Sequence, residues 1–335
     1  MSSAPILLMG GSGAIGGWTT RFLRDTQPDL PLLIGGRDRT KAEEAAARIG
    51  KAEGVPIDLS ADDLGLDGRP IRAVAVLFSD NRIAGLRFAQ ARGVPHLSIS
   101  SGIYEIAPEV AAYMHRPAVS PLVLGYEWLV GATTVPALRF AKAFGRIDDI
   151  VIGALVDEQD TGGPAVAEDF ERLNSTLPAA LTRREGGYIW RSGEDAKARF
   201  RAVDGTSMEA SGFSSIDVAG LATATGAPNV QFNIATGISS SRRRGEAMST
   251  EIIIELAGED HAGRALRTRH AIVHREGAAP LTGMGVAMIL ERLLGLDGAP
   301  ATPPGLYFPY QLLDPDRYLS RLVKCGGEVL ELEAQ

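Results

Sequence analysis

The sequence predicts an α/β protein in two parts: a doubly wound parallel sheet over residues 1–130, then an α+β domain with a mainly antiparallel sheet over 131–280. Three observations carry that expectation. Through the first half, short apolar runs alternate with segments of helical period, as parallel strands joined by crossover helices require. A glycine-rich turn separates the first strand from the first helix. Beyond about Gly145 the apolar period drops to two, as in strands with one wet face. A length of 335 residues suits two domains. Residues 281–335 are expected to return and pack on the first of them.

Taken in order, Ile6-Leu7-Leu8-Met9 is a buried strand, and Ile15, Trp18, Phe22 and Leu23 recur at helical spacing until Pro28 stops them. Leu32-Leu33-Ile34 is the second strand. Thr40 and Glu43 form a capping box for a helix whose inward stripe is Ala42, Ala45, Ala46 and Ile49. Val55-Pro56-Ile57-Asp58 reads as the third strand. Residues 74–78 are the fourth, apolar on both faces as a central parallel strand should be. The next helix ends at Gly93 with Pro95 beyond it, and residues 96–99 and 122–124 give the fifth and sixth strands.

In the second part, residues 150–156 form an apolar strand with a helix at Ala167 beyond it, and Val230, Phe232 and Ile234 alternate with Gln231 and Asn233. Residues 251–256, a polar loop at 258–263 and residues 266–274 make one long hairpin. Helices are expected at 281–294 and around 316–323, with a loop at 298–305.

Hydrophobic residues make up 45% and charged residues 22% of the chain, which excludes disorder. With 34 basic and 41 acidic residues the net charge is −7 and the pI near 5.4. That balance is unsuited to a phosphate backbone, so no nucleic acid is expected as partner. No apolar run approaches the roughly 18 residues of a membrane span, so no membrane is expected either. Met1-Ser2-Ser3-Ala4-Pro5 has no basic region, so the expectation is a cytoplasmic protein without a signal peptide. Cys325, the single cysteine, has no intrachain partner for a disulfide.

Gly11-Ser12-Gly13-Ala14-Ile15-Gly16 is G-x-G-x-x-G between a strand and a helix, the context in which the pattern binds a dinucleotide. The first glycine permits a tight turn, and the second lets backbone approach a pyrophosphate. The third lets the helix pack on the strand, with the anion at the helix N-terminus. This is the Rossmann arrangement. Some twenty residues on, where an acid would bond the ribose 2′-hydroxyl of NAD, the chain reads Gly35-Gly36-Arg37-Asp38-Arg39-Thr40-Lys41. No acid ends the strand, and the Arg37 guanidinium suits a 2′-phosphate, with Arg39 as a further donor, so NADP(H) is the expected cofactor.

These residues resemble the NADP-binding domain of the reductase-type saccharopine dehydrogenase family. The resemblance rests on Gly11, Gly13 and Gly16, on Gly36-Arg37-Asp38-Arg39 with Lys41-Ala42, and on Asp58 at the end of strand three. Weaker echoes are Gly93-Val94-Pro95-His96, Ser100-Ser101-Gly102 and Gly125-Tyr126-Glu127. It covers about the first 130 residues. It implies an NADP-dependent oxidoreductase, often acting on a carbon–nitrogen bond, whose inserted substrate domain also dimerises. In place of the family's Asp-Pro-Gly turn stands Glu127-Trp128-Leu129-Val130-Gly131.

Ligands of open parallel sheets bind beyond the carboxyl ends of the strands. Ser79 and Ser100 are therefore further cofactor candidates, and Tyr104, Tyr126, Glu127 and Trp128 candidates for nicotinamide and substrate. Asn81 is the expected cap of the helix that follows. Tyr104, Glu127 and Asp157, the last in the acidic turn Asp157-Glu158-Gln159-Asp160, are the expected catalytic residues, as sources of a proton. Arg242-Arg243-Arg244 is the only dense basic run, read either as a solvated face or as an anion site. The five histidines show no metal-ligand spacing. The sequence thus points to an NADPH-dependent reductase of a small molecule, with an imine-type C=N bond first and carbonyl or enoyl reduction behind it. A non-catalytic NADP(H)-binding regulator is the alternative from another class. A homodimer through the second domain is expected, because a two-faced antiparallel sheet needs cover.

Overall fold

The structure, a computed structural model, describes residues 4–99, 102–103, 106–162 and 179–334. The chain divides into two compact units. The first comprises Met1–Ser100, Tyr104–Tyr126 and Thr282–Leu312, the second Ser101–Ile103, Glu127–Leu281 and Leu313–Gln335.

The first unit opens with β1 (Ile6–Met9), α1 (Ala14–Thr26), β2 (Leu32–Gly36), α2 (Arg39–Ile49) and β3 (Ala52–Pro56). It continues with β4 (Ala73–Val76), α3 (Ala84–Arg92), β5 (His96–Ile99), α4 (Ile106–His115) and β6 (Pro121–Gly125). All four residues of β1 are inaccessible to solvent, which is why that stretch is uniformly apolar. Leu7, Met9, Leu33, Val55, Val74, Val76 and Phe88 form a core on one side of the sheet. The third strand ends before Asp58, because Pro56 lacks a ladder donor and Asp58 turns back to accept from the backbone and hydroxyl of Ser60.

The second unit begins with α5 (Thr134–Ala141) and the long strand β7 (Phe144–Asp157), then β8 (Ala179–Arg184), β9 (Gly187–Ser192), β10 (Lys197–Arg201) and β11 (Ser207–Gly212). After α6 (Asp217–Thr225), β12 (Asn229–Gly237) and α7 (Ser240–Arg243) come β13 (Thr250–Asp260) and β14 (Ala265–His274). These last two form the expected hairpin, longer than its polar residues suggest: ladder pairs run as far as Glu259 with Ala265, so the turn shrinks to a few residues. The helix expected at Ala167 lies outside the described residues.

The C-terminal part supplies α8 (Ala278–Leu293), β15 (Gly305–Tyr307), α9 (Pro309–Leu312), α10 (Pro315–Lys324) and β16 (Gly327–Leu332). Among the described residues, one sheet has seven strands in the order β15-β6-β5-β4-β1-β2-β3, every pair parallel. The other has nine, along the path β10-β11-β12-β7-β13-β14-β16 with β8 on β12 and β9 on β8. Its pairs are antiparallel except β12 with β7. The return of 281–335 to the first sheet stops short of the expectation. Residues 282–312 contribute β15, a strand hidden in the Pro/Gly-rich loop, whereas β16 pairs antiparallel with β14 in the second sheet. Among the described residues no helix is long and apolar enough to cross a membrane.

Candidate functional site

The glycine loop is built by close contact. Its positive φ falls at Gly10, one residue before the motif, whose N–H donates to the Gly35 carbonyl at 2.8 Å. Gly11 and Gly16 serve proximity instead. A Cβ on Gly16 would stand 2.4 Å from the Gly11 carbonyl oxygen, so α1 can approach the loop only because that atom is missing. Gly13 is the N-cap of α1 in extended conformation, and no side chain caps the helix. The first turn of α1 therefore presents the N–H groups of Ala14, Ile15 and Gly16 with the positive end of the helix dipole. Ser12, Gly13 and Ala14 are exposed, and Ser12 Oγ lies close to Gly36 at the end of β2.

At that end of β2 the polar residues divide. Asp38 is the N-cap of α2, accepting from the Lys41 N–H at 3.1 Å, so the expected capping box from Thr40 is replaced by a cap two residues earlier. Arg39 is held by Glu43 at 2.7 Å, one helical turn on. Asp58 is occupied with Ser60. Arg37 is exposed, and among the described residues no ion pair or hydrogen bond engages it. The uncapped helix start and the missing Cβ atoms fit a dinucleotide.

Beyond the carboxyl ends of β4, β5 and β6 lies a second polar group. Ile83, not Asn81, is the N-cap of α3, and the Asp80 carboxylate ahead of it accepts from Arg82 N–H at 3.1 Å and Gly85 N–H at 2.9 Å. Ser79 precedes it at the strand exit. On β5, buried Ser98 donates its hydroxyl to Glu109 of α4 at 2.7 Å, and the Tyr126 hydroxyl, one residue past β6, bonds the same carboxyl. Burial, with the negative charge of Asp80 added, raises Glu109 to about 7. Glu109 escapes sequence reading because it sits in the apolar face Ile106, Val110 and Tyr113 of a helix with no motif. A lone acid on such a stripe is the signal that was available. Ser100 and Tyr104 lie outside the described residues.

In the second unit the expected site residues are engaged in building the fold. Asp157, 1% exposed at the end of β7, accepts from the N–H groups of Gln159 and Ser239 at 2.9 and 2.8 Å and from Arg242 at 2.8 Å. Asp160 accepts from Thr250 Oγ1 and Ala278 N–H. The arginine run is likewise distributed: Arg242 pairs with Asp157 and Glu158, Arg243 with Asp204, and Arg244 with Glu246. Its reading as an anion site is therefore replaced by a cross-linking role.

Glu127 is buried, and Trp128 packs edge-on against Phe213 and Phe232 at 5.3 and 5.7 Å rather than standing open as a ring platform. His270 stacks on Phe140 at 3.8 Å, and His274 Nε2 lies 3.1 Å from the Cys325 carbonyl. Among the described residues no cluster of potential metal ligands occurs.

Comparison with known proteins bears on the fold. No family model matches the sequence, and no curated protein matches it. Among solved structures, apo saccharopine dehydrogenase (L-Glu forming) from Saccharomyces cerevisiae aligns with a TM-score of 0.64 at 12% identity, over 99% of this chain and 100% of that one. Homospermidine synthase from Legionella pneumophila, solved with NAD, aligns with a TM-score of 0.61 at 12% identity, over 98% and 92%. The fold is saccharopine dehydrogenase-like.

Proposed function

We propose that this chain is a nicotinamide dinucleotide-dependent oxidoreductase that prefers NADP(H) and reduces a small molecule, with an imine-type C=N bond as its first substrate class. The observation that carries the reading is the cradle itself: an uncapped α1 N-terminus behind Gly11 and Gly16, facing a β2 end that offers Arg37 and no free acid. Ala14, Ile15 and Gly16 would hold the pyrophosphate through backbone N–H groups, with the Gly13 N–H donated to the Gly10 carbonyl within the loop. Arg37 would hold the 2′-phosphate, its planar fork matching phosphate oxygens. Asp38 and Asp58 shape the adjoining turns, and Ser79 stands at the exit of β4. When bound, the reduced cofactor supplies a hydride. The likeness to saccharopine dehydrogenase and homospermidine synthase, the latter solved with NAD, supports a nicotinamide cofactor, and the local resemblance over strands one to three supports a C=N substrate.

Reduction of a C=N bond also consumes a proton. Asp157, expected as a proton source from its place in an acidic turn, has its carboxylate committed to Ser239, Gln159 and Arg242. Glu127 and Tyr104 are the other sequence candidates for that proton. The test is NADPH and NADH oxidation by the purified chain with a panel of imines, ketones and enoyl compounds. NADPH consumption led by imines is expected. No consumption with any compound, alongside tight NADPH binding, would make the chain a non-catalytic binder, and equal use of NADH would overturn the cofactor preference.

A further inference from the structure

Three buried polar side chains meet at the carboxyl edge of β5 and β6, and none belongs to the dinucleotide cradle. Glu109 is 5% exposed and Tyr126 6%. The Glu109 carboxyl receives the Ser98 hydroxyl at 2.7 Å and the Tyr126 hydroxyl beside it. The charged group facing this pair is Asp80, also negative, and among the described residues no cation offsets it. His96, two residues before Ser98 on β5, brings no charge: both ring nitrogens are buried without a hydrogen-bond partner, and burial lowers its pKa to about 3.

An acid placed so, desolvated and beside a like charge, keeps its proton near neutrality. Burial and the Glu109 carboxyl push the Tyr126 hydroxyl far above the usual phenol range. Tyr126 therefore releases a proton only as it receives one. A purely structural polar contact at this position needs no ionisable group, since glutamine would accept the same two hydrogen bonds.

We propose that Glu109 is a proton store that acts through the Tyr126 hydroxyl and serves the nitrogen of an imine as it is reduced. This rests on the oxidoreductase reading. In the step, the Tyr126 O–H bond breaks as an N–H bond forms on the substrate, and the Glu109 O–H bond breaks as the Tyr126 O–H bond re-forms. The electron pair for the new C–H bond arrives with the hydride of a reduced nicotinamide dinucleotide. Glu109, left as carboxylate, recovers its proton from water after product departs. Tyr126 is the group that meets the substrate, and Glu109 is a positioning residue behind it.

The test compares the unaltered chain with Glu109→Gln, Glu109→Asp and Tyr126→Phe. Infrared spectra of the cofactor-free protein should contain the C=O band of a protonated carboxyl that fades as pH rises through about 7 and is missing from Glu109→Gln. With an imine substrate, Glu109→Gln and Tyr126→Phe should each lower kcat roughly 100-fold with the NADPH Kd unchanged. Glu109→Asp should restore part of the loss with a displaced alkaline limb. Absence of the band, or full kcat in Glu109→Gln, overturns the proposal. Should Glu109→Gln fail to fold, Tyr126→Phe decides the kinetic arm, and full kcat there overturns it equally. If no compound of the panel makes the unaltered chain oxidise NADPH, the oxidoreductase reading falls and the transfer step with it, while the infrared band still decides whether Glu109 holds a proton.

Discussion

Arg37 differs from its neighbours in that none of the described residues engages it. Asp38 is spent on the α2 cap and Arg39 on Glu43, so substitution at either alters the helix as well as the cofactor site. Arg37 carries no such burden, and its effect on cofactor choice should be separable. Arg37→Ala is expected to weaken NADPH binding roughly 10- to 100-fold, the loss of a charge-assisted hydrogen bond. NADH, lacking the 2′-phosphate, should bind as before. Fluorescence titration of both cofactors reads this directly, and equal losses would remove Arg37 from the phosphate. Residues of this kind were legible because their roles are local: a glycine that must lack Cβ, or a base where an acid would otherwise stand. Glu109 was not legible, because its character comes from Ser98, Asp80 and Tyr126, brought to it from three other parts of the chain. Asp157 misled for the same reason, its partners Ser239 and Arg242 lying some 80 residues away in sequence.

At the scale of elements, the turn that opens the second unit concentrates strain. Leu129 and Val130 have φ of 52° and 57°, followed by Gly131 at 93°. The left-handed region costs a non-glycine residue about 1–2 kcal/mol, and a β-branched one is a true outlier there. What holds the turn is buried Asp217 at the start of α6. Its carboxylate accepts from Trp128 N–H at 2.7 Å, Thr134 Oγ1 at 2.6 Å and the Ser215 hydroxyl. Asp217→Ala would strand those donors in the interior, at a cost of about 2–4 kcal/mol. Urea unfolding should show that loss, and a change below roughly 0.5 kcal/mol would mean the turn is held by other contacts. The sequence contained no hint of this clamp. Elements with strong periodicity, such as β1, α1 and the β13–β14 hairpin, could be read directly, since packing there follows the local pattern. The short strands β15 and β16 could not, because their pairing partners, β6 and β14, lie elsewhere in the chain.

For the whole molecule, the two-part reading rests on a change of apolar period, whereas the path of the C-terminus depends on pairing with residues remote in sequence. Nothing local in residues 327–332 announces that they extend the second sheet rather than the first. That sheet also bears on assembly. Among the described residues β9 is bonded only to β8, and its outer face carries Tyr188 and Trp190 at 50% and 49% exposure, two residues apart and so on one side of the strand. An edge strand with exposed aromatic rings and no Pro to blunt it invites pairing, and the closed solution for identical chains is a two-fold dimer. A homodimer through the second unit is therefore expected, with the mass of two chains by light scattering at micromolar concentration and physiological salt. Trp190→Asp should shift that mass toward one chain while leaving the NADPH Kd unchanged, because β9 belongs to the second unit and the cradle to the first. A single-chain mass for the unaltered protein would rule the dimer out, and a dimer indifferent to Trp190→Asp would move its interface away from β9.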